Sequence, residues 1–254
     1  MYTKPMSPQP IGGVLDSGFA LYRHTLMGTF VFAFLSAFAA IPMRRIDPPV
    51  PGEPIDIPML VLVSAVTLVL SMLLWTPIIA KIHAVQQGRR LSAGEALAVG
   101  IRRLPVVIPV ALLLGLMLGI GFALLVIPGI YLTVLFLFAP VAAVADSKGV
   151  LASFKYSFEL VRRRWWRTAV MLTVIGVVAL VAYLLVGAVI AVFIAIGGNA
   201  DPNAVPWQIE LIVAPAVAGV LTPLFYALLM AVYADAKLRY EGADIAERIA
   251  ASEA

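Results

Sequence analysis

The 254-residue chain contains no cysteine, two histidines and few charges, Asp, Glu, Lys and Arg together making up 13%. Without cysteine there is no disulfide framework, no thiol chemistry and no thiolate-ligated metal. The isolated His24 and His83 lack carboxylates at ligand spacing, so no metal constellation and no cofactor is expected. No nucleophile stands beside a base, and Gly12-Gly13 lacks the rest of a phosphate-cradling loop. Nothing in the charge pattern points to nucleic acid. Residues 1–10 carry three prolines and one lysine, without the apolar core of a secretory signal, so the first membrane span is expected to do the targeting.

Apolar surface is what the chain has in excess. Hydrophobic residues make up 62% and mean hydropathy is +1.01. Soluble domains hold roughly 45–50% apolar and about 25% charged residues. The composition excludes a soluble globular enzyme and a disordered chain, and leaves a multi-pass membrane protein. A bilayer core of about 30 Å needs about 20 apolar residues as helix. Six stretches approach or exceed this: 26–41, 59–80, 106–127, 130–145, 168–196 and 209–233. Their unbroken runs exclude the alternation of a membrane β-barrel. The fourth is short and reaches only about 24 Å. Pro128-Gly129 reads as the turn joining it to the third span. Kinks are expected at Pro140 and Pro223.

The charges are segregated. With six crossings, 16 of the 18 basic residues fall on one side, which the positive-inside rule makes cytoplasmic. That face has a net charge of +7, and the outer face, with Arg44, Arg45, Asp47, Glu53, Asp56, Asp201 and Glu210, has −3. Both termini are then cytoplasmic. Topology alone explains the asymmetry; an anionic-lipid contact is the sharper alternative. Its candidates are Arg102, Arg103, Lys155, Arg162, Arg163, Arg164 and Arg167, with Trp165 and Trp166 as interfacial aromatics.

Each pair of spans is preceded by an amphipathic stretch: Ile11–Tyr22, Ser92–Leu104 with an S-x-x-E capping box, and Val150–Trp165. The expected fold is therefore an all-α, polytopic membrane bundle of six transmembrane helices. Cytoplasmic interfacial helices accompany it in a three-fold hairpin pattern. It forms a single domain over 1–254, with pseudo-repeats at about 11–80, 91–146 and 147–234 and a tail at 235–254. Gly115 and Gly119 form a GxxxG pair, a candidate contact face. The spans hold hydroxyl groups rather than ionisable ones, which argues against proton-coupled transport.

Two stretches carry a family pattern. One has Pro128-Gly129, Pro140, Asp146, Ser157 and Arg164-Trp165-Trp166-Arg167. The other has Tyr233, Asp235, Lys237, Arg239, Glu241, Gly242 and Asp244. They resemble a bacterial multi-pass family that includes the membrane domain of some glycerophosphodiester phosphodiesterases and YciC-like inner-membrane proteins. No hydrolase domain stands in the sequence, so the resemblance implies an inner-membrane role without phosphodiesterase activity. The expectation is a non-catalytic scaffold or partner in envelope or lipid-related processes, in contact with anionic lipids and an unidentified protein. A transporter or channel for a lipid or amphiphile is the alternative.

Overall fold

The computed structural model describes residues 2–40, 56–196 and 209–252; side chains at 40, 190, 193–196, 209–210 and 243–252 are outside the description. Arg44, Arg45, Asp47, Glu53, Asp201 and Trp207 fall outside it, as do the side chains of Glu210 and Asp244. All regular structure among the described residues is helical. Helix α1 is Ile11–Ser36, ending in a 3-10 turn, Ala37–Ala40. Helices α2, Ile57–Gln86, and α3, Ala93–Leu124, follow. Then come α4, Val126–Phe136, α5, Ala139–Ala145, and α6, Val150–Arg162. Helix α7 is Trp165–Ile196, and a π turn at Ile209–Val213 leads into α8, Ala214–Ser252.

Local chemistry accounts for the ends. The Asp56 carboxylate accepts from the Met59 N–H and opens α2. The expected capping box opens α3: Ser92 Oγ accepts from Glu95 N at 3.2 Å, and Glu95 Oε2 accepts from Ser92 N at 2.7 Å. Three expectations change. The first two amphipathic stretches are not separate elements but run without interruption into α1 and α3; of the three, α6 alone is a separate helix. Pro128-Gly129 is not the turn between α3 and α4. A single extended residue, Leu125 (φ −165°, ψ 153°), makes the reversal, and Pro128 and Gly129 lie in the first turn of α4. The third concerns the glycines. Gly115 and Gly119 face open space, whereas a Cβ on Gly121 would lie 3.1 Å from the Gly129 Cα and one on Gly129 would run into the Phe122 ring. The close approach thus belongs to Gly121 and Gly129. The expected break at Pro140 is present between α4 and α5; Pro223 lies within continuous α8.

Helices α1 and α8 pack most extensively, antiparallel, with α2 against both. The core gathers toward one end. It holds Val14 and Leu21 of α1, Ile78, Ile79 and Ile82 of α2, Val107 and Val110 of α3, nearly all of α5, and 226–233 of α8. Toward the other end the apolar side chains are exposed: Ile57, Val61, Leu62 and Val66 on α2, and Leu180, Leu184 and Leu185 on α7. Such a surface in water exceeds anything a soluble monomer tolerates, so it faces lipid. Five described helical segments are long and apolar enough to cross a membrane.

Helix α8 serves as a depth scale. Gln9 meets Asp235, Gly18 packs on Leu228, and Phe30 packs on Gly219, so α1 rises alongside it. Arg167, at the start of α7, also meets Asp235. The segment expected to be the fourth span behaves differently. Asp146, at its end, is held by Tyr233 and Lys237. Tyr131, near its start, stacks on Trp165, with centroids 5.4 Å apart, and Trp165 lies two residues from Arg167. Asp146 thus meets 233–237 directly, and Tyr131 is joined to the same end of α8 through Trp165 and Arg167. A helix parallel to α8 would separate them by about 22 Å. Helices α4 and α5 run across the bundle end rather than through its length.

Candidate functional site

The basic end of the bundle holds two carboxylate centres. In the first, Asp235 is only 5% exposed. Its Oδ2 accepts from Arg239 Nε at 2.8 Å and Arg167 Nη2 at 3.2 Å, and its Oδ1 accepts from the Gln9 N–H at 3.0 Å. The same two guanidinium groups donate to the Gln9 carbonyl, at 2.6 Å from Arg167 and 2.7 Å from Arg239. A buried carboxylate is tolerated only when paired and hydrogen-bonded. Here the pairing ties the segment before α1 to α7 and α8 at one point.

In the second centre, Lys237 Nζ donates to Asp146 Oδ1 at 2.6 Å and the Tyr233 hydroxyl donates to Asp146 Oδ2. Burial pushes the Asp146 carboxyl up, but the Lys237 and Tyr233 hydrogen bonds and the Lys237 charge outweigh it, leaving it below the usual aspartate range. Nearby, Lys148 lies 4.0 Å over the Tyr156 ring. Burial, then the Asp146 charge, pushes the Tyr156 hydroxyl well up, so it stays neutral. Glu241 is half exposed, 3.9 Å from Lys237, and Gly242 faces open space.

Ser157 is fully buried on α6, and its hydroxyl donates to the Leu135 carbonyl at 2.7 Å. Helix α4 stops at Phe136, so the carbonyls of its last turn, Leu135 among them, need a donor from outside the helix. Ser157 supplies it, and Phe154 and Phe158 flank it against Phe136. Thus Asp146 and Tyr233 meet directly, while Asp235 and Ser157 each hold a separate joint.

The arginine cluster divides. Arg163, Arg164 and Arg167, with Arg239, line a cavity of about 400 Å³ between α6, α7 and α8, where Glu159 and Asp235 are the acidic residues. Arg167 Nε is buried there without an acceptor. Arg162 lies 5.4 Å over the Phe158 ring. A second, more open hollow of about 590 Å³ sets 162–167 against Ile127, Ile130 and Tyr131 of the α3–α4 tip. Trp165 Nε1 donates to the Tyr131 carbonyl at 3.3 Å, and Trp166 is 78% exposed. Arg102 and Arg103 are on α3 and line neither hollow, and Lys155 is exposed, 3.9 Å from Glu159.

Sequence reasoning missed Gln9, which has no motif around it, and Gln86, whose Nε2 donates to the Met230 carbonyl at 3.2 Å. Gln9 acts through its own backbone groups, and the Gln86 side chain meets a backbone carbonyl of another helix; residue types reveal neither. The hydroxyls of Thr25, Thr29, Thr76, Thr133 and Thr173 donate to carbonyls one turn back in their own helices. Among the described residues no three His, Cys, Asp or Glu side chains gather as a metal site.

This arrangement can bind an anion and hold helices together. The family model of UPF0259, an uncharacterised protein family, matches residues 57–198. A UPF0259 membrane protein of Serratia proteamaculans is 37% identical over 79 residues, 31% of this chain and 32% of its own. The UPF0259 membrane protein plu2479 of Photorhabdus laumondii is 32% identical over 90 residues, 35% of each chain. The matched stretch thus spans about a third of either relative's length. No solved structure matches. The chain belongs to the UPF0259 family, a bacterial membrane-protein family without a characterised activity.

Proposed function

We propose that this UPF0259 member is a non-catalytic protein of the bacterial inner membrane, a scaffold or partner in envelope or lipid-related processes. Its basic end and both termini are cytoplasmic. The observation that carries this reading is the use made of the inward-drawn charges. Asp235 and Asp146 are each closed off by cations and hydrogen bonds that join α1, α7 and α8 or α5 and α8. Residues 128–167 and 233–244, which resemble the membrane domain of some glycerophosphodiester phosphodiesterases and YciC-like proteins, fall on these same joints, in keeping with an envelope role.

The position of 131–146 favours four crossings, by α2, α7 and α8 and by α1, which is not among the five segments counted above, with α3–α5 entering from the basic side and returning to it. Removing the third and fourth crossings together leaves the sidedness of every basic cluster unchanged, so charge segregation accommodates four as well as six. The absence of cysteine makes the test direct. Single variants Leu125→Cys and Ser147→Cys are treated with a membrane-impermeant thiol reagent on intact spheroplasts and on opened membranes. Four crossings require that neither reacts from outside; outside labelling of Leu125→Cys alone restores six. Labelling of Ser147→Cys from outside overturns the orientation.

The second reading, a lipid or amphiphile transporter, draws on an apolar cavity of about 210 Å³ between α7 and α8. Protein-dependent flux in reconstituted vesicles would favour it. No flux across lipids and small amphiphiles would leave the scaffold.

A further inference from the structure

The arginine-lined cavity and the apolar cavity lie on the same faces of the same two helices. On α7, Arg164, Arg167, Thr168 and Met171 line the first, and Ile175, Val178 and Ala179 continue at helical spacing into the second. On α8, Arg239, Ala236 and Asp235 line the first, and Leu228, Leu224 and Leu221 follow along the same stripe. The two helices run antiparallel, so the polar hollow lies at the basic end and the apolar one lies deeper. Four guanidinium groups face two carboxylates in the polar hollow, and Asp235 is already shared by Arg167 and Arg239. The forked donors of guanidinium groups match the several oxygens of a phosphate.

We propose that the cleft between α6, α7 and α8 holds one anionic diacyl phospholipid. Its phosphate and anionic headgroup lie among Arg163, Arg164, Arg167 and Arg239, and an acyl chain lies along the groove between α7 and α8. Basic pockets between membrane helices on the cytoplasmic side suit such headgroups. A soluble phosphate would use the polar hollow alone and leave the apolar one unexplained. This inference rests on the proposed function only through its orientation, which places the cleft in the inner leaflet.

The test uses the full chain purified in detergent and native mass spectrometry with added phosphatidylglycerol or phosphatidylcholine of identical acyl chains. One phosphatidylglycerol per chain is expected to remain bound, at least tenfold more tightly than phosphatidylcholine. The pair Arg163→Gln and Arg164→Gln should lower that affinity at least tenfold. The pair Arg102→Gln and Arg103→Gln, outside the cleft, should change it less than threefold. Ala179→Trp, which fills the apolar groove, should weaken lipid binding at least fivefold. It should leave unchanged any competition by glycerol phosphate, the headgroup without its chains. Unfolding midpoints in the same detergent check each fold; if Ala179→Trp fails, Ala179→Phe replaces it. Equal retention of phosphatidylcholine, equal loss in the α3 pair, or no effect of filling the groove would each overturn the site. A Ser147→Cys chain labelled from outside overturns the orientation whatever the lipid arms give, so the two failures are distinct.

Discussion

At the scale of single residues, Ser157 is the sharpest case. Its hydroxyl is buried and satisfies a carbonyl on another helix. Ser157→Ala leaves that carbonyl unpaired, and should cost about 1–2 kcal/mol, read as a lowered unfolding midpoint in detergent. Asp146 gives a pH dependence. Its folded-state pKa is depressed, so its contribution is fully present above the unfolded value, about 3.9, and is lost as pH falls through the folded value. The stability difference between the parent and Asp146→Asn should therefore be constant from pH 7 to about pH 5 and shrink below about pH 4. Unfolding midpoints across that range check it; a difference unchanged at pH 3 would count against the ion pair. Serine and aspartate at these positions were legible as motif members. Their roles were not, because the partners stand 22 and 91 positions away.

At the scale of elements, helix starts were legible where side chains cap them, as at Ser92 and Glu95. Interruptions were legible at Pro140 but not elsewhere. Pro105 and Pro109 lie within continuous α3, while the unremarkable Leu125 makes the reversal. The reversal depends on close packing four residues to either side of Leu125, where Gly121 and Gly129 leave no room for a side chain. Gly129→Val would drive Cβ and its methyl groups into the Phe122 ring, and should destabilise by about 1–3 kcal/mol. Gly115→Val meets open space and should cost under about 0.5 kcal/mol. A midpoint comparison of the two variants separates a hairpin contact from the GxxxG reading; equal losses would count against the hairpin contact.

At the scale of the whole molecule, burial is concentrated at the basic end while the long apolar arms of α2 and α7 stand exposed to lipid. Stability should therefore depend on the charged end more than on the arms. Asp235→Ala leaves Arg167 and Arg239 facing each other across Gln9. Leaving such charges uncompensated costs about 3–5 kcal/mol when buried; partial exposure of both arginines, 25% and 21%, reduces this to about 2 kcal/mol. Limited proteolysis should then cut before Ile11 first, because Gln9 loses its anchor. An unchanged cleavage pattern would show that other contacts hold this segment.

Composition by itself determined that the protein is a helical membrane protein, because apolar runs of such length have no other stable environment. Sequence spacing also located the residues at the joints. The tertiary structure alone decided which apolar runs lie across the basic end, since length and hydropathy are the same for a helix that crosses and one that dips in and returns. It also decided which arginines share a cleft. Arg102 and Arg163 are equal as charges in the sequence, and only the packing of α6, α7 and α8 separates them.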